Sequence, residues 1–199
     1  MFVLRRPTGP AIGEFLERRR TARFTYADVG GTNHGPPPGY TVDHNRIRLG
    51  TGPDLFAAAC DALRAWDMFR IGWLELVPGG VPIEEGRCVA VLVRRFGVWS
   101  LNPCRIVYVV DESGPVERFG FAYGTLPGHI ERGEERFTVE WNRADGSVWY
   151  DIDAFSRPQH PLARIANIYV RRLQRRFACD SLATMAAAVR RRVKATLPC

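Results

Sequence analysis

Lysine is almost missing from this chain: Lys194 is the one lysine among 28 basic residues. Arginine therefore carries nearly all the positive charge behind the formal net charge of +7. Such a charge can attract a polyanion, yet the same bias toward arginine arises in a GC-rich genome without selection for binding. Long apolar runs are also lacking, and none approaches the roughly 18 residues needed to cross a bilayer. The start, MFVLRRPTGP, places Arg5 and Arg6 too early for a secretory signal. A cytoplasmic protein is expected. The five cysteines (Cys60, Cys88, Cys104, Cys179, Cys199) include no C-x-x-C pair, which argues against a disulfide framework or a zinc knuckle. There is no H-E-x-x-H and no strand–glycine loop–helix unit, so neither a metal, a nucleotide nor another cofactor is expected.

What remains is the composition of an ordinary globular domain, 46% hydrophobic and 25% charged over 199 residues. Residues 10–24, PAIGEFLERRRTARF, have Pro10 in a first turn and apolar residues at helical spacing. The stretch 30–39, GGTNHGPPPG, is read as neither helix nor strand. It divides a small N-terminal helical appendage (residues 1–38) from a main domain (39–199). That domain opens with a strand, YTVDHNRIRLG, followed by an amphipathic helix, PDLFAAACDALRAW. Strands are then expected near 73–77, 87–96, 103–110, 117–126, 134–142 and 147–155, separated by Gly, Pro and Asp turns. A long helical tract closes the chain, with a break near Asp180-Ser181 where the apolar stripe changes phase.

A run of antiparallel strands followed by one long helix is economically packed by curling the sheet around the helix. The expected class is α+β, a helix-grip fold with a cavity between the concave sheet and the C-terminal helix. An Asp145-Gly146 two-residue turn would set Trp141 opposite Tyr150, Val139 opposite Ile152 and Phe137 opposite Ala154. The apolar pattern agrees with that pairing. Strand alternation then turns Phe119, Phe121 and Tyr123 inward, with Glu135 at the same face and Glu134 and Arg136 outward. Cys104, Ile106 and Tyr108 are assigned to the inner face as well. The candidate ligand-lining residues are thus Cys104, Tyr108, Phe121, Tyr123, Thr125, Glu135, Trp141 and Tyr150, an apolar wall with sparse polar groups.

Several short motifs occur in order: GY-x-V-D near 39–43, L-G-x-G at 49–52, W-D-M-F at 66–69 and N-P-C-R at 102–105. F-G-F-A-Y-G-T-L-P-G-H at 119–129, G-E-E-R-F at 133–137 and F-S-R-P at 155–158 follow. Together they resemble the uncharacterised protein family numbered 0548, a domain of unknown function found in bacteria and plants. The resemblance implies kinship with the helix-grip superfamily of START-like lipid carriers, polyketide cyclases and pollen-allergen-like proteins. It brings no catalytic residues with it, and fold alone does not fix function.

Three functions are open at this point. The first is binding of a small apolar or amphipathic molecule, its polar end oriented by Tyr108, Tyr123, Glu135 and Tyr150. The second is an enzyme acting on such a molecule, with a desolvated Glu135 as general acid or base. The third is an RNA or anionic-membrane surface binder using the arginines of the last helix. His129, Glu131, Glu134 and Glu135 offer metal ligand atoms, but their spacing matches no recognised metal pattern. Cys104 beside Arg105 could be a nucleophile, although alternation sends the two side chains to opposite faces. A buried small hydrophobe is the simpler role for that cysteine.

Overall fold

The computed structural model describes residues 2–95, 97–159 and 163–196; side chains are described within these ranges except at positions 2, 163–168 and 196. The elements are β1 (Phe2–Val3), α1 (Gly9–Glu17), α2 (Gly31–His34), β2 (Thr41–Thr51) and α3 (Pro53–Arg64). After a 3-10 turn at Asp67–Phe69 come β3 (Leu74–Val77), β4 (Cys88–Arg95), β5 (Val98–Glu112), β6 (Val116–Thr125), β7 (Glu131–Asn142) and β8 (Ser147–Pro158). The last element is α4 (Ala163–Thr196). The strands form one antiparallel sheet in the order β2-β8-β7-β6-β5-β4-β3, with β1 added beside β5. This is the helix-grip architecture.

α3 and α4 fill the concave side. Ala59 and Leu63 of α3 and Met185 and Val189 of α4 share one core with Phe121, Phe137, Val139, Tyr150 and Ile152 from the sheet. The core is dense with rings. Phe69 stands 5.5 Å from Phe137 and 5.3 Å from Phe177, and Trp66 lies 4.5 Å from Phe121, centroid to centroid. Such aromatic pairs add stabilisation beyond the area they bury. A smaller core on the convex side seats Ile12, Phe15 and Leu16 of α1 against Ala90, Leu92 and Leu101.

Four expectations need correction. The first helix stops at Glu17 rather than near residue 24, because the chain must turn there to lay Phe24 and Tyr26 over the bare face of Gly124. The stretch 30–39 contains a helical turn, Gly31–His34. The β7–β8 connection has four residues, not two, so Trp141 pairs with Val148, Val139 with Tyr150 and Phe137 with Ile152. The reason lies in the turn's side chains: Asn142 Oδ1 accepts from the Ala144 amide and Asp145 Oδ1 from the Ser147 amide, closing a wider loop. Finally, α4 is uninterrupted. Asp180 and Ser181 do not start a new helix; Asp180 accepts from Trp73 Nε1 at 2.7 Å, and Ser181 Oγ meets Tyr150 Oη at 3.2 Å.

Candidate functional site

Glu134 and Glu135 are neighbours on β7, and strand alternation sends them to opposite faces. Their surroundings differ completely. On the convex face the Glu134 carboxylate accepts from Tyr26 Oη at 2.7 Å, the Gly30 amide at 2.8 Å and the Thr32 amide at 3.0 Å. The Thr32 hydroxyl also bonds it. Glu134 is only 3% exposed. The expectation that it points outward holds for the sheet face, but the N-terminal segment covers it. It is an anchor for residues 26–32, a role that sequence spacing does not reveal across more than a hundred positions.

On the concave face Glu135 is half-buried, and its one hydrogen bond among the described residues comes from Tyr123 Oη at 2.7 Å. Burial pushes its carboxyl up to about 7, against the stabilising Tyr123 bond and with further repulsion from Glu131 and Asp43. At neutral pH such a group is present in both protonation states. Around it the mouth of the grip is tied to α4. Arg171 holds Asp43 of β2 through both terminal nitrogens, at 2.5 and 2.6 Å. Gln174 Nε2 donates to Glu131 at 2.7 Å and to Ser156 Oγ at 2.8 Å. Glu131 therefore faces the mouth, on the same side of β7 as Glu135. Burial raises its carboxyl too, opposed by Gln174 and Arg171.

The remaining candidates scatter. Tyr108 is on the convex face, not the inner one. A bulge lets Ile106 pair with Tyr123 and Tyr108 with Ala122, and this one-residue slip reverses the side chains beyond it. Its hydroxyl meets Thr32 Oγ1 at 2.7 Å. Thr125 Oγ1 accepts from the Gly133 amide at 3.0 Å and meets Thr25 Oγ1 at 2.5 Å, so it fastens the hairpin and the N-terminal segment. Cys104, Phe121 and Tyr150 lie inward and are fully buried in the core. Burial raises the Cys104 thiol, reinforced by Glu135, which leaves it an unreactive thiol. Arg105 is turned away, donating to Arg20 O at 2.7 Å. Trp141 faces inward against Phe56, with its Nε1 buried and unpartnered among the described residues. Six residues separate it from Glu135 along β7, roughly 20 Å, so the two cannot orient one small polar head.

His129 is not aimed at its neighbouring acids. Its Nδ1 accepts from the Glu131 amide at 3.0 Å, and burial lowers its ring to about 4. Among the described residues, the histidine that does meet carboxylates is His44, 2.8 Å from Asp151 and 3.8 Å from Asp153 on the convex face. Arg46 and Arg136 already pair with those acids, so the cluster is a ladder of ion pairs. On α4, Arg171, Arg176 and Arg192 bind Asp43, Asp180 and Asp67, while Arg172, Arg175, Arg190 and Arg191 are exposed. No helix among the described residues is long and apolar enough to cross a membrane.

Comparison with known proteins agrees with the motif resemblance. The family described as Domain of unknown function (DUF1990) matches residues 25–184. A UPF0548 protein of Dictyostelium discoideum is 35% identical, with 95% of this chain and 96% of that one aligned. A second, from Deinococcus radiodurans, is 40% identical, covering 89% and 93%. Among solved structures, the Zhui aromatase/cyclase from Streptomyces sp. R1128 covers 77% of this chain and 96% of its own at 16% identity, with a TM-score of 0.47. No residue role transfers at that distance. With relatives in a bacterium and an amoeba aligned over most of their length, this chain belongs to the DUF1990 family of UPF0548 proteins.

Proposed function

We propose that this protein binds a small apolar or amphipathic molecule at the mouth of the grip, with Glu135 and Tyr123 orienting the ligand's polar end. The observation that carries the reading is Glu135 itself. It is an inward carboxyl with one partner among the described residues, on an apolar wall, and burial pushes it up to about 7. A stability-neutral arrangement would give such an acid several donors, as Glu134 has. The dense rings of the deeper core favour the mouth over the full length of the sheet. Native mass spectrometry on protein purified from its own host tests this. A co-purifying small molecule is expected, and it should be lost from Glu135→Ala. Retention of the molecule by that variant, or wild-type protein devoid of any adduct, overturns the proposal.

The titration range of Glu135 supports a second reading, in which it moves a proton on the bound molecule. Under that reading Glu135→Gln abolishes turnover while binding and folding persist. Loss of binding alone in that variant returns the role to orientation.

A further inference from the structure

The positive surplus of this chain is confined to one helix. α4 carries nine basic residues and a single acid, Asp180. The whole chain has 28 basic and 21 acidic residues, so everything outside α4 holds 19 against 20 and is nearly neutral. A GC-rich genome accounts for arginine in place of lysine. It does not account for a surplus gathered on 34 residues.

Ion pairing sets the same helix apart. Elsewhere the exposed arginines have an acid one turn away: Arg18 meets Glu14, Arg20 meets Glu17, Arg64 meets Asp61 and Arg87 meets Glu84. On α4, Arg171 and Arg192 reach to Asp43 and Asp67, and Arg176 has Asp180 at 3.4 Å. Arg172, Arg175, Arg190, Arg191 and Lys194 are exposed, with no carboxylate partner among the described residues. Arg172 repels Arg175 and Arg176, and Lys194 repels Arg190 and Arg191, because like charges three and four residues apart share a helix face. The helix dipole offsets this near the C-terminus, but Arg172, Arg175 and Arg176 lie in the helix body and gain nothing from it. The neighbouring α3 shows Asp54, Asp61 and Arg64 to solvent, one acid in excess, which leaves the face strongly positive.

The rest of that face selects among polyanions. Between the two cationic clusters the outward positions are Cys179, Ala183 and Ala187. They offer no large apolar side chain to enter a bilayer, since the apolar side of α4, with Met185 and Val189, is committed to the core. They offer no aromatic ring for an unstacked base either. Small side chains let the helix backbone approach closely, and Arg176 and Arg190 lie roughly 21 Å apart along the axis. The major groove of B-form DNA is about 12 Å wide and admits an α-helix. A helix laid over it brings one cluster to the phosphates on each bank. The A-form major groove of duplex RNA is too deep and narrow for this.

We infer that the outward face of α4 docks on double-stranded DNA through its phosphates. The surface is separate from the mouth of the grip, and the inference does not rest on the ligand proposed there.

Fluorescence anisotropy of the full chain with a labelled DNA duplex, from about 50 to about 200 mM salt, is the test. With four or five phosphates contacted, log affinity should fall against log salt with a slope of about −3.6 to −4.5, a loss of roughly 150- to 500-fold. Arg172→Gln with Arg175→Gln, and separately Arg190→Gln with Arg191→Gln, should each reduce the slope by about two. Neither pair holds the fold together, so melting temperatures should not fall; if one double variant does not fold, the other decides. Arg18→Gln with Arg87→Gln removes the same charge from paired sites and should leave the slope unchanged. Absence of binding at the lower salt, or a wild-type slope in either folded α4 variant, overturns the inference. So does an equal loss in the Arg18 and Arg87 variant, or tighter binding to single-stranded DNA, duplex RNA or phosphatidylglycerol–phosphatidylcholine vesicles than to duplex DNA.

Discussion

Truncating Glu134 to alanine should loosen the N-terminal segment and remove a large part of the protein's stability. The side chain is 3% exposed and its carboxylate accepts from Tyr26 Oη, the Gly30 and Thr32 amides and the Thr32 hydroxyl. Hydrogen bonds to a charged acceptor contribute about 1.5–3 kcal/mol each, and a buried donor left unpaired costs about 1–3 kcal/mol. The four do not add. The Thr32 hydroxyl can turn to Tyr108, which it already meets at 2.7 Å, and removing a buried carboxylate also relieves its desolvation. A net loss of about 3–5 kcal/mol follows, the range for breaking a buried charged network from one side. Against a typical total of about 5–15 kcal/mol that is severe. Urea unfolding with a determined m-value measures it, and hydrogen exchange at the Gly30 and Thr32 amides locates it. Tyr26→Phe, which removes one donor, should cost about 1–2 kcal/mol, and the pair should be coupled in a double-mutant cycle. A Glu134→Ala loss below about 1 kcal/mol, or unchanged protection of the two amides, would refute the anchor.

Glu135→Gln gives a pH-dependent outcome. Because the folded carboxyl titrates at about 7, above its usual 4.5, the native state holds the proton more tightly, and this contribution falls as pH rises from about 4.5 to about 7. The variant should gain on wild type across that window by at most about 3 kcal/mol; His129, lowered to about 4, has the opposite slope but cancels in the difference. Unfolding at pH 5 and pH 8 decides it, and a flat difference sinks the assignment. Gly124→Ala should destabilise the fold by roughly 1–3 kcal/mol, since its Cβ would press on Phe24 and Tyr26; a neutral effect in thermal melting would contradict the close approach. Tyr150→Phe should cost about 1 kcal/mol or less, because its Ser181 partner is 3.2 Å away, and a larger loss would reveal a stronger role for that hydroxyl.

The parity of the strands was legible in the sequence; their lateral placement was legible only in part. Widening the β7–β8 turn from two residues to four moved Trp141 from Tyr150 to Val148, a slip of two that leaves every side chain on its expected face. Phe119, Phe121, Phe137, Val139 and Ile152 therefore sit in the core as the alternation requires. At Val107 the slip is one residue, and Tyr108 crosses to the other side of the sheet. A bulge changes no apolar pattern locally, because Val107 and Tyr108 both suit a half-buried strand. The partners of the acids were beyond reach for a different reason. Tyr26 lies 108 positions from Glu134 and Asp43 lies 128 from Arg171, and neither pair has a periodic signature. Asp43 was visible only as the last letter of the GYTVD stretch.

The same alternation explains why two adjacent acids have separate fates. The convex face of β7 is closed by a turn and the first residues of α2, and the Gly30 and Thr32 amides, left free at that helix start, point at Glu134. The concave face is closed by a helix, whose amides are already bonded within it. A helix can offer an inward acid only its side chains, and those of α4 at the mouth, Arg171 and Gln174, are taken by Asp43 and Glu131. Among the described residues Glu135 is left with Tyr123. The saturated carboxylate holds the fold together and has no capacity for a ligand. The undersupplied one costs stability above neutral pH, and a molecule bringing a hydrogen-bond donor to the mouth would offset that cost. A ligand that donates there should therefore stabilise the protein most at pH 8 and least at pH 5, and a ligand whose thermal shift ran the other way would not be donating to the Glu135 carboxylate.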